Sequence, residues 1–275
     1  MLQPDAPPIA TDGLPARSTG LWVFDKKHYF ERYLAIFTRG IDRKWSGKLS
    51  YADLFCGPGR SIVRNSGEEV NGSPLLSLDY EFDHYVFVDV PEVLATLEKR
   101  LKDHPKQSKV RLVPGDCNKV IAKILEELPA DHLTLAFIDP TGLQIMFSTI
   151  ERLVHNRKVD MLMTIQLGMG IRLNLPQYIQ TEGAALTDFL GNSRWREDCE
   201  AGGSPSQIAR RIVDRYMAQI RKLDYGTVRD REIEIRTDET NLLLYFMVLA
   251  SRHRRGEDFW RKATQIGPSG QRRLI

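Results

Sequence analysis

The stretch YADLFCGPGRS, residues 51–61, places an acidic residue and two glycines directly after an apolar run. The run itself, KLSYADLF (48–55), has the composition of a buried strand. Glycines in the following turn let the backbone turn sharply and approach a ligand closely. We therefore expect a strand, a tight turn and a ligand-binding edge of an α/β sheet at this point.

Further strand candidates follow at intervals, separated by helical patterns. They are HYVFVDV (84–90), KVRLVPGD (109–116), HLTLAFIDP (132–140) and VDMLMTIQLG (159–168). Apolar strands that alternate with helices predict a parallel sheet covered on both faces. REIEIRT and NLLLYFMVLASRH then follow each other, joined only by Asp238, Glu239 and Thr240, so they can form only an antiparallel hairpin. The predicted fold is α/β, with a Rossmann-like, mostly parallel sheet closed by an antiparallel β-hairpin. This is the outline of class I S-adenosylmethionine-dependent methyltransferases.

Three segments lie outside this alternation. Residues 1–20 are rich in proline, glycine and small polar types, which predicts a flexible N-terminal arm before one domain over 21–275. WVFDKKHYFERYLAIFTRG (22–40) has apolar side chains at helical spacing and predicts an N-terminal helix. Residues 169–204 interrupt the alternation of strands and helices, and we expect them to form a lid or a packing insertion.

Composition excludes several classes of protein. Cys56, Cys117 and Cys199 lie far apart without metal-ligand spacing, so neither a zinc site nor a disulfide framework is predicted. We find no apolar run of membrane-spanning length and no signal-peptide core, and expect a cytoplasmic protein with no membrane partner.

The formal charge is +3, but from Ser204 onward the chain has fifteen Lys and Arg against nine Asp and Glu. This basic C-terminal region indicates either contact with nucleic acid or a solvated helix face.

Each of the first four strand candidates carries an acidic residue at or near its end: Asp53, Asp89, Asp116 and Asp139. Because the carboxyl ends of parallel strands share one edge, we expect these carboxylates to converge. Such crowding is costly without a cationic or hydroxyl-rich ligand. S-adenosylmethionine offers an ammonium, a sulfonium, a ribose diol and an adenine amine, and is the cofactor we predict.

Strand order assigns a role to each candidate. Asp53 is expected to hold the amino acid part of the cofactor, directly or through water, and Asp89 the ribose diol. Asp116, Cys117 and Asn118 suit the adenine edge. The remaining cofactor-site candidates lie in the turn and on the N-terminal helix: Phe55, Gly57, Gly59 and Lys27.

Other interpretations of these residues remain open. A dinucleotide site would need a third glycine where Ile62 stands, and Asp53 would repel a pyrophosphate. Alternatively, Asp53 and the glycines only shape a turn. Lys27 lies on a helix that either closes over the cofactor or exposes this face to solvent.

FIDPTG (137–142) is the catalytic candidate. Amino-methyltransferases place an Asp-Pro-Pro-aromatic or Asn-Pro-Pro-aromatic stretch here, whose side chain and following carbonyl orient the substrate amine, so that positioning supplies most of the rate. Asp139, Pro140 and Thr141 match that part, whereas the aromatic residue that would stack on a base is absent. A strand-ending turn is the alternative.

LASRHRRGEDFW (249–260) combines a basic run with an aromatic residue. It suits either phosphate contact with stacking or a surface turn with Trp260 packed inward.

Together these motifs resemble the three-Cys-motif partner protein (TcmP) family of bacteria and phages. The segments that carry the resemblance are Trp22-x4-Lys27, YADLFCGPG (51–59), GSPL (72–75), YVFVD (85–89), GDCN (115–118), FIDPTGL (137–143), FLG (189–191) and LASRH (249–253). The resemblance implies a methyltransferase-like protein and a partner that carries the three-Cys motif and is similar to radical S-adenosylmethionine enzymes. The family's Asp-Pro-aromatic-Gly stretch also resembles that of tRNA guanine dimethyltransferases, which implies an exocyclic amine of nucleic acid as substrate. We therefore predict methyl transfer from S-adenosylmethionine to an amine, with a non-catalytic or cofactor-sensing partner subunit as the alternative.

Overall fold

The computed structural model describes residues 6–41, 45–181, 185–227, 232–237 and 239–272. Its strands are β1 (Arg17–Thr19), β2 (Leu49–Asp53), β3 (Arg60–Val63), β4 (Glu69–Asn71), β5 (His84–Asp89), β6 (Val110–Pro114), β7 (Leu133–Ile138), β8 (Lys158–Ile165), β9 (Gly226–Thr227), β10 (Ile233–Arg236) and β11 (Leu243–Ser251). Its helices are α1 (Trp22–Gly40), α2 (Ser73–Ser77), α3 (Pro91–Leu101), α4 (Cys117–Glu127), α5 (Phe147–Val154), α6 (Leu175–Gln180), α7 (Ala185–Leu190), α8 (Trp195–Glu200), α9 (Pro205–Lys222) and α10 (Arg254–Ala263).

The main sheet has the strand order β10-β11-β8-β7-β2-β5-β6, and the short β9 pairs with the end of β11. Neighbours from β8 to β6 are parallel, while β11 is antiparallel to both β8 and β10. This confirms the predicted sheet and its closing hairpin; Asp238 in the hairpin joint lies outside the described residues. The order reverses between β2 and β7, and in open α/β sheets such a switch point is where ligands bind.

An apolar core covers each face of the sheet. On one face α1 and α10 bury aromatic side chains and α3 buries leucines, and on the other α4, α5 and α9 bury mainly aliphatic side chains. Successive residues of β2 show the alternation, since Tyr51 belongs to the first core and Ala52 to the second. Trp260 of α10 is completely buried and contacts Tyr33 edge to face, with 5.6 Å between ring centroids. Of the two interpretations of 249–260, the inward-packed Trp260 is therefore the one observed.

The described part of the segment 169–204 packs into the second core. It contains α6, α7 and α8 after a π-helical turn, Leu167–Arg172. Leu186, Leu190 and Trp195 are completely buried against the same core as α9. Ala185 and Asp188 of α7 also line a cavity of about 510 Å³, so the choice between a lid and a packing insertion stays a prediction.

The described N-terminal residues also pack on the domain, which differs from the flexible arm expected for 1–20. β1 pairs with β3 in parallel, and β3 pairs with β4, so a second sheet of three strands forms. Arg100, only 3 % exposed, forms an ion pair with Asp12 at 2.8 Å and donates to the carbonyls of Pro15 and Pro58. A buried guanidinium thus joins the N-terminal segment to the glycine turn.

The residues between Gly59 and β5 form the β3–β4 hairpin and α2. Gly72 is the N-cap residue of α2, and Pro74 lies in its first turn. Within the described part of the chain, no helix combines the length and the apolarity needed to cross a membrane.

Candidate functional site

The ends of β2, β5, β6 and β7 border a crevice at the switch point, and two cavities open along it. The smaller, about 80 Å³, is lined by Lys26, Gly57 and Asp139 among others. The larger, about 510 Å³, runs from Asp89 past the N-terminus of α4 to the loop before α5. Arg17 and Phe55 line both cavities, so the two are adjacent along the crevice.

The glycine turn after β2 needs both of its glycines. Gly57 has φ +69° and Gly59 has φ +96°, a region that side chains other than glycine's disfavour. A Cβ on Gly59 would also lie 3.0 Å from a methyl carbon of Leu97. The N–H of Gly57 donates to Asp89 Oδ2 at 2.8 Å, so the turn is fastened to the end of β5.

Asp53 is completely buried beneath this turn and lines neither cavity. Its carboxyl accepts hydrogen bonds from the Tyr51 hydroxyl at 3.2 Å and from the Phe55 N–H at 3.3 Å. Burial raises the pKa of Asp53 to about 7, against the opposing effect of a hydrogen bond from Ser73. These contacts are those of the turn-shaping alternative; contact between Asp53 and a ligand stays a prediction.

The raised pKa of Asp53 predicts a pH-dependent stability difference between wild type and Asp53→Asn. The folded protein holds the proton up to about pH 7, whereas the unfolded chain releases it near pH 3.8. The contribution of this group to the stability of the wild type therefore decreases as the pH rises from about 3.8 to about 7. The amide that replaces this carboxyl stays neutral, and the variant should gain on wild type by up to about 4 kcal/mol by about pH 8. Urea unfolding from about pH 4 to about pH 8 measures this difference. Parallel curves for the two proteins would contradict it, and the exposed Asp103→Asn serves as control.

Asp89 lies at the mouth of the larger cavity, with its side chain 15 % exposed. Its Oδ1 accepts from the N–H of Val90 and its Oδ2 from that of Gly57, both at 2.8 Å, and Arg17 Nη2 lies 3.9 Å away. Two backbone donors therefore fix its orientation and leave acceptor capacity on both oxygens. Val90 beside it is an exposed apolar side chain in the same cavity.

Asp116, Cys117 and Asn118 form the α4 side of the larger cavity. Asp116 is the N-cap of α4 and accepts from the Asn118 backbone and side-chain nitrogens at 2.9 Å. Asn118 in turn donates to the carbonyl of Gln144 and accepts from Met146 N–H, so it fastens the loop after β7 to α4. Burial raises the pKa of the Cys117 thiol to about 12, which keeps it protonated.

Three acceptor groups of the catalytic candidate have donors within the protein: the Asp139 carboxylate, the Pro140 carbonyl and the Thr141 hydroxyl. Lys26 Nζ lies 2.6 Å from Asp139 Oδ2, and the Thr164 hydroxyl donates to Oδ1 at 2.8 Å. Gln166 Nε2 donates to the carbonyl of Pro140 at 2.9 Å. The Thr141 hydroxyl accepts from Gln144 Nε2 at 2.8 Å.

The four strand-end acids therefore reach one edge as predicted, but each has its own partners. Asp139 pairs with Lys26, Asp89 with backbone donors, Asp116 with Asn118, and Asp53 is buried beneath the turn. A cationic ligand is not required to offset crowding, which corrects the electrostatic argument made from sequence. The predicted position of the four carboxylates at one edge of the sheet is unaffected by this correction.

Two residues of the crevice were not singled out as site residues from sequence. Lys26 is the lysine that meets Asp139, while the predicted Lys27 lines the smaller cavity. Arg17 lies over the glycine turn, where a Cβ on Gly57 would lie 3.4 Å from its guanidinium carbon. Neighbouring helix positions point about 100° apart, and only the packing of α1 shows which lysine faces β7.

Comparison with solved structures shows which proteins share this fold. An O-methyltransferase from Bacillus cereus, solved in complex with S-adenosylhomocysteine, superposes with a TM-score of 0.50 and 9% identity, over 87% of this chain and 85% of that one. Protein LPL1258 from Legionella pneumophila superposes with a TM-score of 0.54 and 12% identity, over 92% and 94%. No protein-family model and no curated protein matches the sequence. The fold is therefore that of the Rossmann-like methyltransferases, and this likeness is one of fold alone.

Proposed function

We propose that this protein is an S-adenosylmethionine-dependent methyltransferase whose cofactor lies along the crevice. The observation that carries the proposal is Asp89. Its carboxylate is held by two backbone N–H groups at the mouth of the larger cavity, beside the switch point of a methyltransferase fold.

The crevice residues fit this cofactor in kind and in order. Asp89 has the acceptor oxygens that a ribose diol requires. Exposed Val90 and Met146 offer apolar surface for an adenine ring, with Asp116 beside them. Arg17 and Lys27 in the smaller cavity offer cations for the carboxylate of the amino acid part.

We further propose that the methyl acceptor is an amine, with an amine of nucleic acid as the substrate class. S-adenosylmethionine supplies the electrophilic methyl group when it is bound. The Lys26 ammonium donates to Asp139 Oδ2, so this oxygen is placed to accept a hydrogen from a neutral substrate amine when Lys26 moves aside. Arg60 at the smaller cavity is paired with Asp12 and Glu69, so the positive charge that favours a polyanionic substrate there is that of Arg17 and Lys27.

The test is methyl transfer from labelled S-adenosylmethionine to bulk tRNA, rRNA or DNA. Asp139→Ala should lower transfer by about 100-fold or more, because it removes the group that positions the amine. Affinity for S-adenosylhomocysteine should change little, since Asp139 is assigned to the acceptor and not to the cofactor. The exposed Glu151→Ala removes an acid of α5 and should retain transfer. Equal transfer by wild type and Asp139→Ala would contradict the assigned role.

A second candidate function is a non-catalytic or cofactor-sensing subunit of a three-Cys-motif partner. It is favoured by the internal partners of this stretch, since the Asp139 carboxylate, the Pro140 carbonyl and the Thr141 hydroxyl each accept from a protein donor. Tight binding to such a partner that survives Asp139→Ala, without transfer to any nucleic acid, would support the subunit. Transfer by wild type that is lost in Asp139→Ala would support the enzyme.

A further inference from the structure

A second cavity, of about 330 Å³, opens at the opposite edge of the sheet from the crevice. It lies where β7 and β8 begin and where β11 has just ended. Its apolar wall consists of Ile41, Trp45, Leu133 and Phe259. A concave site with apolar surface and a few fixed polar groups is the usual form of a small-molecule site.

The polar lining of this cavity is strongly cationic. It contains the cations Arg157, Lys158, Arg252 and Arg255 and the imidazole of His253, and among the described lining residues the single carboxylate is that of Asp160. This lining includes part of the basic run of 249–260 to which no site has been assigned so far.

Two of the arginines are held in place by uncharged partners. Arg252 donates to the carbonyls of Leu223 and Arg157, and its guanidinium lies 4.5 Å from the centroid of the Tyr225 ring. Arg157 donates to the carbonyls of Leu125 and Leu128. Carbonyl partners orient a guanidinium without cancelling its charge, so these positive charges are ordered for an anion.

Asp160 adds a fixed acceptor to the same cavity. Its side chain belongs to a residue only 7 % exposed, and it is hydrogen-bonded to Ser251. Burial raises its pKa to about 6. A ligand N–H group can donate to this carboxyl, whereas a phosphate would be repelled by it and attracted by the arginines.

We propose that this cavity binds a nucleotide that carries an exocyclic amino group, either free or as one residue of a nucleic acid. The base would lie on the apolar wall, its amino group would donate to Asp160, and its phosphate would meet Arg252 and Arg255. The cavity and the crevice lie at opposite edges, so this proposal does not depend on the proposed methyl transfer.

The experiment is calorimetric titration of the full wild-type chain with saturating S-adenosylhomocysteine present, so that nucleotides do not report on the crevice. The probes are AMP, CMP, UMP, the nucleosides adenosine and cytidine, and a single-stranded RNA of about 12 nucleotides. CMP should bind about tenfold more tightly than cytidine, which lacks the phosphate, and than UMP, which lacks the amino group. Arg255→Glu should abolish the difference in affinity between CMP and cytidine.

Lys123→Glu makes the same change of net charge on an exposed face of α4 and should leave binding unaltered. Asp160→Asn should remove the preference for CMP over UMP while retaining that for CMP over cytidine. If the RNA binds more tightly than CMP, the ligand of the cavity is a residue of a nucleic acid. If the RNA binds no more tightly than CMP, the ligand is a free nucleotide. Equal affinities of CMP, UMP and cytidine, or binding unchanged by Arg255→Glu in a folded variant, would overturn the proposal.

Discussion

Asp89→Ala is expected to weaken the binding of S-adenosylhomocysteine by about 100-fold, corresponding to about 3 kcal/mol. The substitution removes both acceptor oxygens from the mouth of the larger cavity. It also leaves the N–H groups of Gly57 and Val90 without their carboxylate partner, so the glycine turn loses its attachment to β5. Isothermal titration calorimetry on both proteins measures the loss directly.

Asp103→Ala is the matched control for this experiment, because it removes an exposed acid beyond the end of α3. Its affinity for S-adenosylhomocysteine should equal that of wild type. If Asp89→Ala were folded and bound the ligand as tightly as wild type, the placement of the cofactor along this crevice would be wrong.

Gly168→Ala is expected to destabilise the protein by about 3 kcal/mol or more. Gly168 lies in the π-helical turn after β8, and a Cβ there would collide with the carbonyl oxygen of Leu243 and would lie 3.1 Å from that of Leu244. Both atoms are backbone at the start of β11, which pairs with β8 and β10, so neither can rotate away. Urea unfolding should show a lower midpoint with an unchanged slope.

Gly142→Ala provides the comparison, because a Cβ there would meet only the Gln144 side chain at 3.5 Å, an ordinary contact. Its stability should stay within about 0.5 kcal/mol of wild type. A Gly168→Ala protein as stable as Gly142→Ala would mean that the turn does not pack against β11 in this way.

The main sheet is predictable from sequence because its signals are local. β2, β5, β6, β7 and β8 are each a short apolar run with a turn or a helix pattern after it, and the short joint before β11 permits only a hairpin. The positions of Asp53, Asp89, Asp116 and Asp139 at one edge follow from that topology alone.

What the sequence does not reveal is decided by contacts between distant residues. Lys26 and Lys27 are adjacent residues of the same type, so the sequence does not distinguish them. Only the packing of α1 brings Lys26 to Asp139, 113 residues away. Arg17 lies in a segment whose composition resembles a linker, yet the buried Arg100 holds that segment against the glycine turn. Trp260 is equally compatible with exposure and burial until Tyr33 is placed beside it.

Arg17 lines both cavities and lies over the glycine turn, on a strand that is joined to β3 by three paired residues and anchored by the Asp12–Arg100 contact. A molecule bound in either cavity would therefore lie against the N-terminal segment. Ligand binding should then protect β1 from proteolysis, which makes cleavage of that segment a readout of whether the crevice is occupied.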